Sequence, residues 1–169
     1  MPGYKVTMLP DALVQTYTLQ AGRDCPALSL YVTLDEATLE IKGHESRIER
    51  VSIAHNLRHD QLDAIVTEPW LLDSSFNHEN EPQPLPALRE PLSFLYRLAR
   101  DLKAKREIVR GKPETFNRPD YNFRLVGNDS AEPQGGETVQ ISTRQRGAPL
   151  DLIVAEAMIL ANSTWGSWM

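Results

Sequence analysis

The sequence predicts an α+β domain in which antiparallel hairpins pack with helices. Three observations carry that prediction: paired runs of strictly alternating apolar residues, two segments with apolar residues at helical spacing, and clusters of turn-forming residues between them. With 169 residues the chain is the size of one domain, and 41% apolar residues are enough for a globular core.

Met8-Leu9-Pro10-Asp11 reads as a turn, and Ala12 to Leu19 as a short helix. After Pro26, the alternation of Leu28, Leu30, Val32 and Leu34 has the period of a strand. Asp35-Glu36-Ala37-Thr38 supplies a turn, alternation resumes at Leu39 and Ile41, and Arg47 to Ile53 extends the second strand, so a hairpin is expected. Asn56 can cap a helix through about Val66, with Leu57, Leu62, Ile65 and Val66 as its apolar set. From Thr67 to Glu90, four prolines stand among Asn, Ser and Glu, the composition of a long loop or insertion. Pro91 restarts order, and Leu88, Leu92, Leu95, Leu98 and Leu102 place a helix that runs to roughly Val109. Tyr121, Phe123 and Leu125 alternate, Gly127-Asn128-Asp129 turns, and Val139 and Ile141 complete a second hairpin. The final helix, Ala148 to Asn162, is apolar almost all round and is expected to be buried. Pro149 suits its first turn and Asp151 its amino-terminal dipole. Trp165 and Trp168 lie beyond it, and residues 3–10 begin as an extended run. Both ends read as a segment of something larger.

The net charge of −5 gives no bulk support for non-specific nucleic-acid binding. Arg97, Arg100, Lys103, Lys105, Arg106, Arg110 and Lys112 cluster, but such a run reads first as a solvated helix face. Cys25 is the lone cysteine, which excludes an internal disulfide and a cysteine-based zinc site. Neither a membrane-length apolar run nor a secretory signal pattern occurs, so no membrane association is expected and a cytoplasmic location follows by default. The two glycosylation patterns at Asn128 and Asn162 are then chance matches. Serine-hydrolase and P-loop motifs are absent. His55 and His59, four residues apart, resemble half a zinc site. Ile48 stands where His44-Glu45 would need its second histidine, and no third ligand follows, so no metal site is assigned.

Two features carry chemistry. Glu156 is a single carboxylate inside the apolar final helix, and a buried ionised carboxylate costs several kcal/mol, on the order of 5, unless compensated. It either pairs with a core arginine or lies on a narrow solvent strip as a structural residue, or it serves a ligand. Upstream, Arg144 and Arg146 either contact phosphate or are solvated. The second feature is Phe116-Asn117-Arg118-Pro119-Asp120-Tyr121, where proline stiffens a segment whose aromatics and guanidinium suit a nucleotide, or else simply join the core.

Taken in order, Thr7-Met8-Leu9-Pro10, Ala27-Leu28-Ser29-Leu30, Ser46-Arg47-Ile48-Glu49, Asn117-Arg118-Pro119-Asp120-Tyr121 and Ile153-Val154-Ala155-Glu156-Ala157-Met158-Ile159-Leu160-Ala161-Asn162 resemble the ribonuclease II family catalytic (RNB) domain. The resemblance covers most of the chain but not residues 67–90. It implies a processive, magnesium-dependent 3′-to-5′ exoribonuclease that threads single-stranded RNA and releases nucleoside monophosphates. The family's metal-binding aspartates precede the Met-Leu-Pro turn, so the resemblance implies that they, the later arginine-bearing segment and the oligonucleotide-binding-fold domains fall outside this chain. No catalytic or metal-binding residue is therefore assigned within it. By position, Glu156 matches the glutamate that accepts ribose hydroxyls near the 3′ end. Phe116 lies close to the base-stacking phenylalanine. His59 falls near a tyrosine that contacts the terminal ribose, a departure from the pattern, and Arg118, Tyr121 and Asn162 join the RNA-binding set. The chain by itself is expected to be inactive. Two rivals stand beside this reading: a non-catalytic RNA-binding or regulatory module derived from such an enzyme, and a plain interaction domain that binds no RNA.

Overall fold

The computed structural model describes residues 7–58, 62–76, 81–114, 119–127, 135–145 and 147–168. Its elements in chain order are α1 (Asp11–Tyr17), β1 (Arg23–Leu34), β2 (Ile41–Ile53), α2 (Glu68–Leu72), α3 (Leu85–Arg110), β3 (Pro119–Val126), β4 (Thr138–Gln145) and α4 (Pro149–Gly166). The expected α+β class holds. The hairpins do not merge into one sheet, however, but stay as two separate two-stranded antiparallel ribbons.

In the first ribbon Leu28 faces Ile48 and Leu30 faces Ser46 across the strands. The turn is built by Asp35, whose side chain accepts from the N–H groups of Ala37 and Thr38 at 3.1 and 3.0 Å. Its carbonyl takes the Leu39 N–H at 2.8 Å. Leu39 adopts φ 56°, in the left-handed region, so it belongs to the turn and β2 starts at Ile41. In the second ribbon Phe123 faces Ile141 and Leu125 faces Val139.

Of the stretch from 67 to 90 read as a loop, residues 68–72 form α2 and residues 85–90 begin α3, while the described residues between them carry neither helix nor strand. Thr67 caps α2 through the Trp70 N–H, and Trp70 is fully buried, its indole donating to Glu81 at 2.7 Å. Arg89 lies against the Trp70 ring and donates to the carbonyls of Trp70, Asp73 and Phe76 at 2.8, 2.6 and 2.7 Å. A proline-rich composition argued for a loop, but one buried tryptophan and one guanidinium hold its described residues. α3 also starts earlier than expected, at Leu85, with Pro91 inside it, and ends at Gly111 in the left-handed conformation. Asn56 does not cap a helix: its side chain donates to the Leu19 carbonyl at 2.6 Å, tying the end of β2 to the segment after α1.

The core is helical. Val66, Trp70, Leu71, Leu85, Leu92, Tyr96 and Leu150 form it, with Leu62, Ile65, Leu88, Leu152 and Ile153 packed on its rim. Each such side chain taken out of water contributes about 1.5–3 kcal/mol. The expectation that α4 is buried all round is overturned. Only Leu150 and Glu156 are buried in it, while Val154 and Met158 are 56% and 59% exposed. A single helix, α3, packs along α4, so one stripe is covered and the rest remains open. The helix runs further than expected and takes in Trp165, whose indole donates to Ser46 Oγ at 2.9 Å, while Trp168, just beyond it and largely exposed, stands 6.4 Å from the His44 ring.

Candidate functional site

Glu156 is 3% exposed and faces α3, where Arg106 donates to its Oε1. The same guanidinium meets Glu114 Oε2 at 2.6 Å through Nη1. One planar cation thus bridges two carboxylates from different segments, a geometry that suits arginine's fork and no lysine. The Glu114 N–H in turn donates to Glu107 Oε1 at 2.8 Å, fixing the chain just after α3. The hydrogen bonds from Arg106, then its charge, hold the Glu114 carboxyl below its ordinary value despite partial burial. Glu156 and Glu114 hold the guanidinium charged to still higher pH than usual. Of the readings open for Glu156, the structure shows the pairing with a core arginine.

A second ion cluster closes the amino-terminal end of α4. Arg144, from β4, meets Asp63 Oδ2 at 2.6 Å and Asp151 Oδ1 at 2.7 Å. The Gly147 N–H reaches Asp151 Oδ2 at 3.2 Å. Burial alone pushes the Asp151 carboxyl up, but the Arg144 guanidinium and the Gly147 N–H outweigh it and hold it below the ordinary value. Arg144 is therefore neither solvated nor free for phosphate. Arg146 lies outside the described residues. Beside this cluster, Lys103, Asp120, Leu150, Val154 and Met158 line part of an open cleft of about 410 Å³.

The RNA-binding set read from the sequence does not assemble into one surface among the described residues. Phe116, Arg118 and His59 lie outside them. Tyr121 is 59% exposed and points to the outward face of the β3–β4 ribbon, because its neighbour Asp120 lines the cleft and strand side chains alternate. Asn162 is exposed, and six residues from Glu156 it is about 120° away around the helix and about 9 Å along it, on a different face. His55 is exposed, and His44 stands by Trp168, so no histidine cluster forms from these two. The basic run on α3 is not simply solvated. Arg100 pairs with Glu68 at 2.7 Å, Lys105 with Asp101 at 2.7 Å, and Arg106 turns inward.

Sequence reasoning allowed a core arginine as the partner of Glu156 but did not find that it is Arg106, nor that Arg106 also binds Glu114. Arg106 stood inside a run whose ordinary meaning is surface, and nothing local marks a contact spanning 50 residues. Among the described residues, no group of three or more His, Cys, Asp or Glu side chains could hold a metal ion. The carboxylates that do converge already share a guanidinium, Glu114 and Glu156 that of Arg106 and Asp63 and Asp151 that of Arg144. The residues described here do not fit a magnesium ion, and no chemical step is derived through one. No described helix is long and apolar enough to cross a membrane.

No curated protein and no solved structure matches the chain well enough to count as a relative. The family model described as the RNB domain matches residues 1–169. The match takes in Glu156 with its Arg106 and Glu114 partners and the whole of both ribbons, and the chain belongs to the RNB domain family of ribonuclease catalytic domains.

Proposed function

We propose that the chain is part of a 3′-to-5′ exoribonuclease acting on single-stranded RNA, in which it supplies RNA contacts while the metal-bearing acidic residues come from polypeptide outside it. The observation that supports this reading is a carboxylate, Glu156, held at the family's Val-x-Glu position within a domain matched across its length. Arg106 occupies Oε1, and a carboxylate offers about four lone-pair sites, so the group retains acceptors for the 2′- and 3′-hydroxyls of a terminal ribose. Arg106 then acts through Glu156 by fixing its rotamer. At 3% exposure the carboxylate admits a ribose only if the surrounding side chains shift.

The Arg106 pair also favours a second reading, in which Glu156 is structural and the chain is an RNA-binding module without catalysis. Filter binding with labelled single-stranded RNA, run with a nuclease assay on purified residues 1–169, separates the cases. The exoribonuclease-part reading expects salt-dependent binding, no magnesium-dependent release of nucleoside monophosphates, and weakened binding in a folded Glu156→Gln variant. Unchanged binding by that variant makes Glu156 structural. Robust magnesium-dependent RNA degradation that disappears in Glu156→Ala would refute the placement of the acidic residues elsewhere.

A further inference from the structure

Glu114 is anchored by contacts other than the one it makes to Arg106. α3 ends at Gly111 with φ 71°, a left-handed turn that brings the chain back along the helix, and the Glu114 N–H donates to Glu107 Oε1 at 2.8 Å. Its Oε1 takes Arg110 Nη1 at 3.3 Å, while its Oε2 meets Arg106 Nη1 at 2.6 Å. On the other side, Arg106 Nη2 donates to Glu156 Oε1. The guanidinium thus stands between two carboxylates, one on each terminal nitrogen. Its Nε is buried and, among the described residues, has no hydrogen-bond partner.

A buried N–H left without an acceptor is costly, and here a suitable acceptor lies within the same ion pair. Nε and Nη2 form one edge of the guanidinium, the edge that grips both oxygens of a carboxylate as a fork, and a forked pair is stronger than one held through a single oxygen. Arg106 offers Glu156 only half of that edge. Turning the guanidinium in its own plane would bring Nε toward Oε2 and complete the fork. The contact that opposes this turn is Glu114, which holds Nη1.

We propose that Glu114 is a positioning residue: by holding Nη1 it keeps Arg106 on one oxygen of Glu156 and leaves Oε2 as the acceptor for a ribose hydroxyl. Glu114 matters to RNA only through the role proposed for Glu156 at the terminal ribose. Removing the Glu114 charge then tightens the Arg106–Glu156 pair and closes the carboxylate to RNA. A Glu114 that only braces the fold would leave Oε2 as open as before.

Glu114→Gln in the full 169-residue chain tests this with two readouts. The first needs no RNA: in proton–nitrogen correlation spectra the Arg106 Nε–H resonance should move downfield and exchange more slowly with water as it gains Oε2. A resonance that stays where it is in the parent chain overturns the proposal. The second uses a short single-stranded oligouridylate ending either in ribose or in 2′,3′-dideoxyribose. The parent chain should bind the ribose end about tenfold more tightly, and both Glu156→Gln and Glu114→Gln should bring the two ends close to parity. Loss of the preference in Glu156→Gln but not in Glu114→Gln overturns the positioning role and leaves the reading of Glu156 intact. A parent chain with no preference overturns that reading, and the role of Glu114 falls with it. Glu114→Asp keeps the charge but draws it back from Arg106, so it should move both readouts the same way by less, and it decides the matter if Glu114→Gln does not fold by circular dichroism.

Discussion

Arg106 is the residue on which the structure of the candidate site turns. Removing it leaves Glu156 buried and uncompensated, so Arg106→Ala should destabilise the fold by about 3 kcal/mol, read as a lower urea midpoint. Replacing both partners, as in Arg106→Met with Glu156→Leu, should recover most of that loss, because an apolar pair needs no compensation. A double variant that is stable yet no longer binds RNA would separate the structural from the functional role, whereas one that binds RNA normally would leave Glu156 only structural. Acid titration follows from the same contacts. The Glu114 and Asp151 carboxyls are depressed in the folded chain, so their contribution is fully present above the ordinary carboxyl values and is lost as pH falls through the folded ones. The urea midpoint should hold steady down to about pH 5 and fall below about pH 4. Stability that rises on acidification would contradict these pairings.

At the scale of elements, Arg89 and Pro91 show how packing overrides composition. Arg89 satisfies three carbonyls from the 70–76 segment and covers the Trp70 ring. Arg89→Ala should therefore open that segment to limited proteolysis before the rest of the chain unfolds, and equal protection in both proteins would count against the clamp. Pro91 sits inside α3, where it cannot donate to the carbonyl one turn earlier, so Pro91→Ala should raise stability by about 1 kcal/mol or more. The strands were legible in the sequence because period-two alternation survives whatever packs on them, and Tyr121, Phe123, Val139 and Ile141 fell where that pattern put them. The helical turn at 68–72 was not legible. Its packing rests on Trp70 reaching Glu81 and Arg89, contacts that composition does not encode.

At the scale of the molecule, the chain exposes 12702 Å² of surface, against about 8,400 Å² for a compact protein of this mass. Part of the surplus is the bare faces of the two ribbons and the uncovered side of α4, where Ile48, Val154 and Met158 stand open. The family, the α+β class and the expectation that Glu156 is buried came from the sequence alone. Short-range periodicity and a motif of fixed spacing are local properties, and local properties survive in a one-dimensional string. The tertiary structure decided the rest: that the hairpins remain two separate ribbons, that only one stripe of α4 is covered, and that Glu156 pairs with Arg106, which also binds Glu114. It also set Tyr121 and Asn162 apart from that carboxylate. Each of these depends on which distant segments meet, and a pairing across 50 residues is fixed by packing and charge in three dimensions, not by any pattern along the chain.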